Sequence, residues 1–111
     1  MLTVCTRLKL PCGDDAMTRT VYVNGVFLPE NEATVSIFDR GFLFADGVYE
    51  VTSVLDGKLI DFEGHAIRLA RSLGELGMRN PIEKLDLLEV HRELVRANDI
   101  WEGLIYLQIT R

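Results

Sequence analysis

An α+β fold is predicted, in which hairpins build an antiparallel sheet and two helices cover one face of it. Three observations predict this fold. The dipeptides Asn24-Gly25 and Asp56-Gly57 each join two short β-prone runs, two successive segments carry apolar residues at helical spacing, and a final segment alternates apolar and polar residues. Because the helices are grouped rather than alternating with strands, a parallel doubly wound sheet is the weaker choice.

The two hairpins follow from their turn dipeptides. In the run VYVNGVFLP, which starts at Val21, Asn24-Gly25 suits a type I′ turn because both central positions of that turn need positive φ. The second hairpin covers residues 48–60, around Asp56-Gly57. Between the hairpins, residues 29–47 read as a loop with a compact glycine and aromatic stretch.

Two helices and a strand follow. Residues 62–76 have helical spacing, and Gly77 and Pro81 end that helix. Its apolar face consists of Phe62, Ala66, Leu69, Leu73 and Leu76. Asn80-Pro81, with Glu83 three residues after Asn80, indicates the start of a second helix over residues 83–98. After Gly103, the run LIYLQITR alternates as a half-buried strand does.

Composition restricts the class of protein. With 111 residues, 48% of them hydrophobic and 26% charged, the chain forms one globular domain with a real core. The net charge of −5 and the absence of a basic patch argue against nucleic acid as a partner. No apolar run approaches about 18 residues, so neither a membrane span nor a signal peptide is expected. Cys5 and Cys12 are too few for a disulfide scaffold, which favours a reducing, cytoplasmic setting.

The two ends of the chain look unlike the rest. Residues 1–16 have no helical or strand period and precede a second methionine, Met17, which we take as the natural start. The expectation is a non-native or disordered extension over 1–16 and one domain over 17–111. Because the chain stops at Arg111, inside or just after a strand, we expect it to be truncated there.

One cluster on the first predicted helix contains side chains that could bind a ligand. His65, Arg68 and Ser72 lie three and four residues apart, so their side chains share the flank beside the apolar face. An arginine held there can bind a phosphate through two parallel hydrogen bonds. Spacing alone favours the alternative, an exposed helix on which Arg68 and Arg71 pair with Glu63 or Glu75.

Other candidate residues have simpler interpretations. Tyr49, on the same face of its strand as Val51 and Ser53, is by itself better explained as a packed core tyrosine. His91 lies in the middle of an apolar helical face, which favours a hydrogen-bonded core imidazole. Asp39, Asp46 and Glu50 lack the histidine or cysteine partners that a metal site needs, so no metal is expected. Neither a phosphate-binding glycine loop nor a nucleophile elbow is present.

Two motifs carry a resemblance to a known family. VSIFDRGFLFADGVYEV covers residues 35–51, and the pattern E-x-H-x-x-R-L-x-x-S begins at Glu63. With the ending IYLQITR, the chain from Thr18 onward resembles the class IV pyridoxal-phosphate aminotransferases. Within that family, D-R-G-F-x-F-x-D-G-V-Y-E-V is most similar to the D-amino acid (D-alanine) aminotransferases. Ala45 is a mild departure, since glycine or serine is commoner there.

The resemblance implies a fold, a cofactor and site residues. The fold is the small N-terminal domain of the fold type IV pyridoxal-phosphate enzymes. Arg68 matches the arginine that binds the phosphate of pyridoxal 5'-phosphate, so the resemblance reverses the preference for a surface ion pair. Tyr49 and Tyr106 match tyrosines near the substrate pocket. For residues 39–41 we expect a structural role.

The resemblance also implies what this chain lacks. In similar enzymes the lysine that bonds the cofactor as a Schiff base belongs to a larger second domain, and Lys9, Lys58 and Lys84 do not match its position. We therefore expect no catalytic residue in this chain and no activity from it alone. The parent enzyme would be a homodimer that moves the amino group of a D-amino acid to an α-keto acid such as 2-oxoglutarate.

Alternative functions remain open at this point. One is a branched-chain amino acid aminotransferase or an aminodeoxychorismate lyase of the same fold. Another, from a different class, is a non-catalytic oligomerising or anion-binding module.

Overall fold

A computed structural model of the chain describes residues 2–8, by their backbone, and residues 18–111. The described residues form one six-stranded antiparallel sheet with helices packed against it, so the predicted α+β class is confirmed. The strands are β1 (Leu2–Leu8), β2 (Thr20–Val23), β3 (Val26–Pro29), β4 (Gly47–Leu55), β5 (Lys58–Leu59) and β6 (Gly103–Thr110). Their order across the sheet is β3-β2-β1-β6-β4-β5.

Both predicted hairpins are confirmed. Asn24 and Gly25 have φ angles of 48° and 97°, and Asp56 and Gly57 have 51° and 69°, as a tight turn with two left-handed central residues requires. The first turn joins β2 to β3 over four residue pairs. The second joins β4 to β5 over only two pairs, so most of β4 has β6 as its one described neighbour.

Helix α2 (Phe62–Glu75) begins at the predicted residue and ends one residue before the predicted end, because Leu76 is its C-cap. It ends because Gly77 adopts a φ of +60° and lets two backbone bonds close the last turn. The N–H of Met78 donates to the carbonyl of Leu73, and the N–H of Gly77 donates to the carbonyl of Gly74.

The start predicted for the next helix is wrong by four residues. Asn80 does cap a turn, because its side chain accepts a hydrogen bond from the N–H of Ile82, but the turn is a 3₁₀ helix, Pro81–Lys84. Leu85 is extended and interrupts it. Helix α3 (Leu87–Ala97) begins after Asp86, whose carboxylate accepts a hydrogen bond from the N–H of Glu89.

A short helix, α1 (Arg40–Phe44), lies within the segment predicted as a loop. Five residues are too few for an apolar period, so the spacing of the sequence does not reveal it. Gly41 is required in this helix because a Cβ there would overlap the methyl group of Thr110.

The prediction that residues 1–16 lack regular structure is wrong for β1. Leu2–Leu8 pairs along its length with β6 and at two positions with β2. A strand between two others gains its hydrogen bonds from partners far away in the chain, and local spacing gives little sign of that. Cys12 and Met17 lie outside the described residues, so the prediction of a start at Met17 stays a prediction.

The core lies between the sheet and the helices α2 and α3. It is apolar and continuous, and its most buried members are Val54, Leu69, Leu73, Leu94, Ile105, Leu107 and Ile109. The alternation predicted for β6 is confirmed, because Ile105, Leu107 and Ile109 all face this core. We call the opposite side of β4 and β6 the open face; Tyr49 and Tyr106 lie on it.

Candidate functional site

The predicted phosphate-binding arginine is held by a buried carboxylate. Nε of Arg68 donates to Oε1 of Glu50 over 2.7 Å, and Nη2 donates to Oε2 over 2.8 Å. The side chain of Glu50 is 4% exposed, whereas that of Arg68 is 58% exposed. The guanidinium is therefore fixed along one edge by a group inside the fold and meets solvent along the other.

His65 completes the cluster. Its Nδ1 lies 2.7 Å from Oε2 of Glu50, the same oxygen that accepts from Nη2 of Arg68. His65 and Arg68 are three residues apart on α2, so both side chains reach β4 from the same side of the helix. Ser72, expected on this flank, lies further along α2 and is half-buried.

Charge interactions within the cluster are mutual. The hydrogen bonds from Arg68 lower the pKa of Glu50, and the bond from His65 adds to this, whereas burial alone would raise the pKa. Glu50 in turn raises the pKa of Arg68, with smaller contributions from Tyr49 and Asp61. At neutral pH the site therefore contains an ionised carboxylate bound to a charged guanidinium.

The outer edge of Arg68 can still bind an anion. A guanidinium has five N–H donors, and the contacts with Glu50 use one on Nε and one on Nη2. Both donors of Nη1 and the second donor of Nη2 remain, and no described residue accepts from Nη1. Those groups form the end-on fork that fits a phosphate or a carboxylate.

The ion pairs of α2 differ from the predicted surface pairing in one respect. Arg71 pairs with Glu75 at 3.6 Å, and both side chains are 69% exposed, as that interpretation expects. Arg68, by contrast, pairs with Glu50 on another element. The partner and its burial therefore separate two arginines that the local sequence presents as equivalent.

The two predicted substrate tyrosines lie together on the open face. The rings of Tyr49 and Tyr106 are stacked, with centroids 5.6 Å apart and planes inclined by 16°. The hydroxyl of Tyr106 donates to Oε1 of Gln108 over 2.9 Å, and Gln108 lies opposite Tyr49 in the β4–β6 register. Tyr49 is 64% exposed, so its interpretation as a packed core tyrosine is wrong.

The segment over residues 39–46 is attached to the end of β6. Asp39 accepts hydrogen bonds from the N–H of Gly41 and from the hydroxyl of Thr110. Asp46 accepts hydrogen bonds from Nε of both Arg40 and Arg111, which lower its pKa. These contacts join the segment to the sheet, in keeping with the structural role expected for residues 39–41.

Two cavities, of about 380 and 560 Å³, lie elsewhere on the described surface, and neither is lined by Arg68, Tyr49 or Tyr106. A small cavity does touch the cluster, between β4 and the two long helices, and its lining includes Glu50, His65 and His91. Within the described residues, the predicted site is therefore an open surface rather than an enclosed pocket.

His91 has the predicted structural role. It is 2% exposed and its Nδ1 lies 2.9 Å from the carbonyl oxygen of Leu87, one turn earlier in α3. Burial lowers the pKa of its imidazole to about 4, so it is neutral near pH 7. It is a core residue whose hydrogen bond goes to Leu87 and not to Glu50.

The described lysines lie outside this cluster, and the described residues form neither a metal site nor a membrane-spanning helix. Lys58 and Lys84 are exposed, in β5 and in the 3₁₀ helix, and Lys9 lies outside the described residues. Across residues 18–111, no group of three or more acidic, histidine or cysteine side chains could hold a metal ion. No helix in the described part of the chain has the length and apolarity needed to cross a bilayer.

The residue that sequence reasoning missed is Glu50, which was considered only as a metal ligand. One signal was available. Glu50, Thr52 and Val54 alternate along β4, so they share a face, and a carboxylate on the helix-covered face needs a cation. The basic residues of the next helix are His65, Arg68 and Arg71, but identifying the covered face of β4 requires the β4–β6 register.

Comparisons with known proteins agree on one family. Residues 47–111, more than half of the chain, match the model of amino-transferase class IV. The D-alanine aminotransferase of Staphylococcus haemolyticus is 43% identical over 91 residues, which cover 82% of this chain and 32% of that protein. The chain thus spans about a third of the length of the curated relatives it matches.

Two solved structures share the fold. The branched-chain aminotransferase from the archaeon Thermoproteus uzoniensis, with norvaline, has a TM-score of 0.67 and 21% identity, covering 84% of this chain and 41% of its own. A branched-chain amino acid aminotransferase from T.th., complexed with N-(5'-phosphopyridoxyl)-L-glutamate, has a TM-score of 0.68 and 17% identity. It covers 85% of this chain and 41% of its own.

The match of the family model includes β4, α2, α3 and β6, the elements that carry the Glu50 cluster and both exposed tyrosines. On that ground, this chain belongs to the class IV aminotransferases.

Proposed function

We propose that the chain is the N-terminal, phosphate-binding part of a pyridoxal-phosphate-dependent transaminase. The observation that carries the proposal is Arg68, clamped by Glu50 along one edge and open along the other. A fixed guanidinium with a free fork suits a phosphate dianion better than a mobile surface charge does. Tyr49 directly precedes Glu50 in β4 and stacks on Tyr106, so strand β4 links the two tyrosines to the carboxylate that holds Arg68.

The chemistry of the cofactor fits the residues present. Pyridoxal phosphate supplies the electron sink for the bonds broken at the α-carbon of an amino acid. Arg68 holds the phosphate through its outer fork, and Tyr49 and Tyr106 line the substrate side with two aromatic faces and two hydroxyl groups. In this proposal the chain itself supplies no catalytic residue, because Lys58 and Lys84 are exposed on other elements.

The substrate assignment rests on the curated relatives. A D-alanine aminotransferase at 43% identity supports a D-amino acid as donor. We propose an α-keto acid such as 2-oxoglutarate as acceptor, as the family resemblance implies. The two branched-chain aminotransferases, at 21% and 17% identity, support the shared fold. We further propose a cytoplasmic homodimer in which the open face lies against the rest of the enzyme.

The substrate test uses the protein encoded by the complete reading frame that contains this segment. With 2-oxoglutarate as acceptor, turnover of D-alanine well above that of L-leucine and L-valine is expected. Preference for the L-amino acids would overturn this substrate assignment and favour a branched-chain aminotransferase. A reading frame that stops after Arg111, with no transamination by the product, would favour the non-catalytic anion-binding module.

The cofactor test is substitution of Arg68 in the same protein. Arg68→Ala is expected to weaken pyridoxal-phosphate binding by about ten- to a hundredfold, because one charge-assisted pair of hydrogen bonds is lost. Arg68→Lys should recover part of the loss, since a point charge remains without the fork. Arg71→Ala is the matched control, because Arg71 is exposed on the same helix and should leave binding unchanged. Unchanged affinity in Arg68→Ala would overturn the assignment.

The 111-residue chain gives an independent test. Mixed with pyridoxal phosphate, it should show no stoichiometric imine absorbance beyond random modification of exposed lysines, and no transamination of D-alanine. Saturable binding at one lysine with turnover would contradict the proposal that this chain binds the phosphate but supplies no catalytic lysine.

A further inference from the structure

Glu50 does not have the environment of an ordinary surface partner of an arginine. Its side chain is 4% exposed and its backbone lies inside the β4–β6 ladder, opposite Leu107. Burying a carboxylate is unfavourable unless it is paired and hydrogen-bonded, and Glu50 meets both conditions with two side chains of α2. The carboxylate is thus attached to the most regular part of the sheet and bound to a helix.

That arrangement determines which edge of Arg68 is free. Both oxygens of Glu50 accept from the Nε and Nη2 side of the guanidinium, so the Nη1 side points away from the carboxylate. Without this contact, a long and exposed arginine would sample many rotamers and would lose that freedom each time it bound an anion. His65 restrains Glu50 itself through Oε2.

We infer that Glu50 is a positioning residue for the cofactor phosphate: it holds Arg68 so that the end-on fork already faces the position of the phosphate before the cofactor binds. This inference rests on the proposed function of Arg68. His65 supports the same orientation by hydrogen-bonding to Oε2 of the same carboxylate.

The change in phosphate affinity expected on removal of Glu50 has the opposite sign to the change that charge alone would cause. Glu50 is negative, so removing its charge should strengthen the attraction between Arg68 and a phosphate dianion if charge alone mattered. If orientation matters more, removing Glu50 should weaken binding, because Arg68 then has to be ordered by the cofactor itself.

The experiment uses the protein expressed from its complete reading frame. Affinities for pyridoxal phosphate and for pyridoxal, which lacks the phosphate, are measured for the parent, Glu50→Gln and Glu50→Asp. Glu50→Gln removes the charge, whereas Glu50→Asp keeps the charge but withdraws it by one methylene. The matched control is Glu75→Gln, which removes the exposed partner of Arg71 on the same helix.

Both Glu50 variants are expected to bind pyridoxal phosphate about three- to tenfold more weakly, with affinity for pyridoxal unchanged. Glu75→Gln should match the parent for both ligands. General loosening of the fold would weaken the binding of both ligands equally. The ratio of the two affinities therefore reports only the effect on the phosphate. Tighter or unchanged binding of pyridoxal phosphate in Glu50→Gln, or equal losses for the two ligands, would overturn the inference.

A spectroscopic measurement covers the case in which the Glu50 variants fail to fold. In the parent protein without cofactor, labelled with ¹⁵N-arginine, the Nε–H of Arg68 should give a resolved resonance protected from solvent exchange, identified by its loss in Arg68→Lys. An averaged, rapidly exchanging signal in the parent would refute positioning before binding. If Arg68→Ala leaves affinity unchanged, the proposed function fails; if Arg68→Ala weakens binding but the Glu50 variants do not, only the positioning inference fails.

Discussion

The neighbouring strands β4 and β6 bury different sets of residues on the same side of the sheet, because only β4 buries a carboxylate there. Towards the helices, β6 presents Ile105, Leu107 and Ile109, all 2% exposed or less. Its partner β4 presents Glu50 and Thr52 to the same layer, at 4% and 1% exposure, together with the apolar Val54, at 0%. On the open face both strands carry a large aromatic residue, since Tyr49 of β4, 64% exposed, stacks on Tyr106 of β6.

The difference shows that alternation identifies the two faces of a strand but not which face is covered. In β6 the apolar set and the covered set coincide, so the pattern gives the correct burial. In β4 the covered face is decided by the register with β6 and by the hydrogen-bond partners that α2 provides for Glu50. A polar residue on a covered face, opposite an exposed tyrosine, is the arrangement expected where burial serves binding rather than packing alone.

Two histidines of the helices lie near Glu50 of β4. Glu50, His65 and His91 line one small cavity there, and burial together with a smaller effect of His65 lowers the pKa of His91. The residues that β6 itself buries towards the helices, Ile105, Leu107 and Ile109, are apolar. Acid should therefore act first on the β4 half of the core, and truncation of apolar side chains should act most on the β6 half.

The largest expected effect is on the β6 side. Ile105→Ala should lower the free energy of unfolding by about 2–5 kcal/mol, because Ile105 is completely buried and leaves a cavity. Leu104→Ala, on the opposite face of the same strand and 37% exposed, should cost less than about 1 kcal/mol. Urea unfolding of the two variants measures both values. Equal losses would mean that the open face is packed as tightly as the core.

The next effect is the response of His91 to pH. Its pKa is lowered from 6.5 to about 4 in the folded state, so between those values the unfolded chain binds a proton that the folded chain does not. Stability should therefore fall by about 3 kcal/mol as the pH drops from 7 to 4. His91→Leu should remove that slope when unfolding is followed across the same range. A slope equal to that of the parent would assign the effect to other groups.

A smaller effect is expected for Glu50 at lower pH. Its pKa is below the usual value of 4.5 because of Arg68, so its contribution is present above pH 4.5 and is lost as the pH falls through the lowered pKa. Glu50→Gln should lower stability at pH 7 by about 1–2 kcal/mol and should flatten the parent's decline below pH 4.5. The control is Glu75→Gln, which removes an exposed ion pair. Its thermal unfolding should be indistinguishable from that of the parent both at pH 7 and below pH 4.5.

The smallest effect concerns the segment that precedes β4. Ala45 ends α1 with a φ of 53°, a left-handed conformation that an alanine adopts only with strain. Ala45→Gly should raise stability by about 0.5–1 kcal/mol. The same change at Ala70, exposed inside α2, should lower it by about 1 kcal/mol. Destabilisation by both substitutions would show that the left-handed geometry at Ala45 carries no strain.

The parts of the fold that could be predicted are those that local sequence determines. Asn24-Gly25 and Asp56-Gly57 specify their turns because few other dipeptides tolerate two positive φ angles. The apolar period of α2 and the alternation of β6 extend over enough residues to be read directly. Asn80 and Asp86 each precede a glutamate by three residues, and the sequence alone did not distinguish the cap of the 3₁₀ helix from that of α3.

The parts that could not be predicted depend on distant partners. Strand β1 exists through its pairing with β6, about a hundred residues further along the chain. The contact between Glu50 and Arg68 joins a strand to a helix 18 residues later, and its geometry follows from the β4–β6 register. Arg68 and Tyr49 were assigned through resemblance, and their roles as phosphate and substrate ligands stay predictions.

The position of β6 has a consequence for synthesis on the ribosome. The β2–β3 hairpin, the β4–β5 hairpin and the helices can form as soon as each emerges, because their contacts are local. The edges of β1 and β4 that face β6 stay unpaired until later, since β6 lies between these strands and is translated after every other described element. Until it arrives, the nascent chain exposes the edges of two half-sheets, a state prone to pairing with other chains. Slow translation of residues 103–110 should therefore prolong the period of aggregation risk.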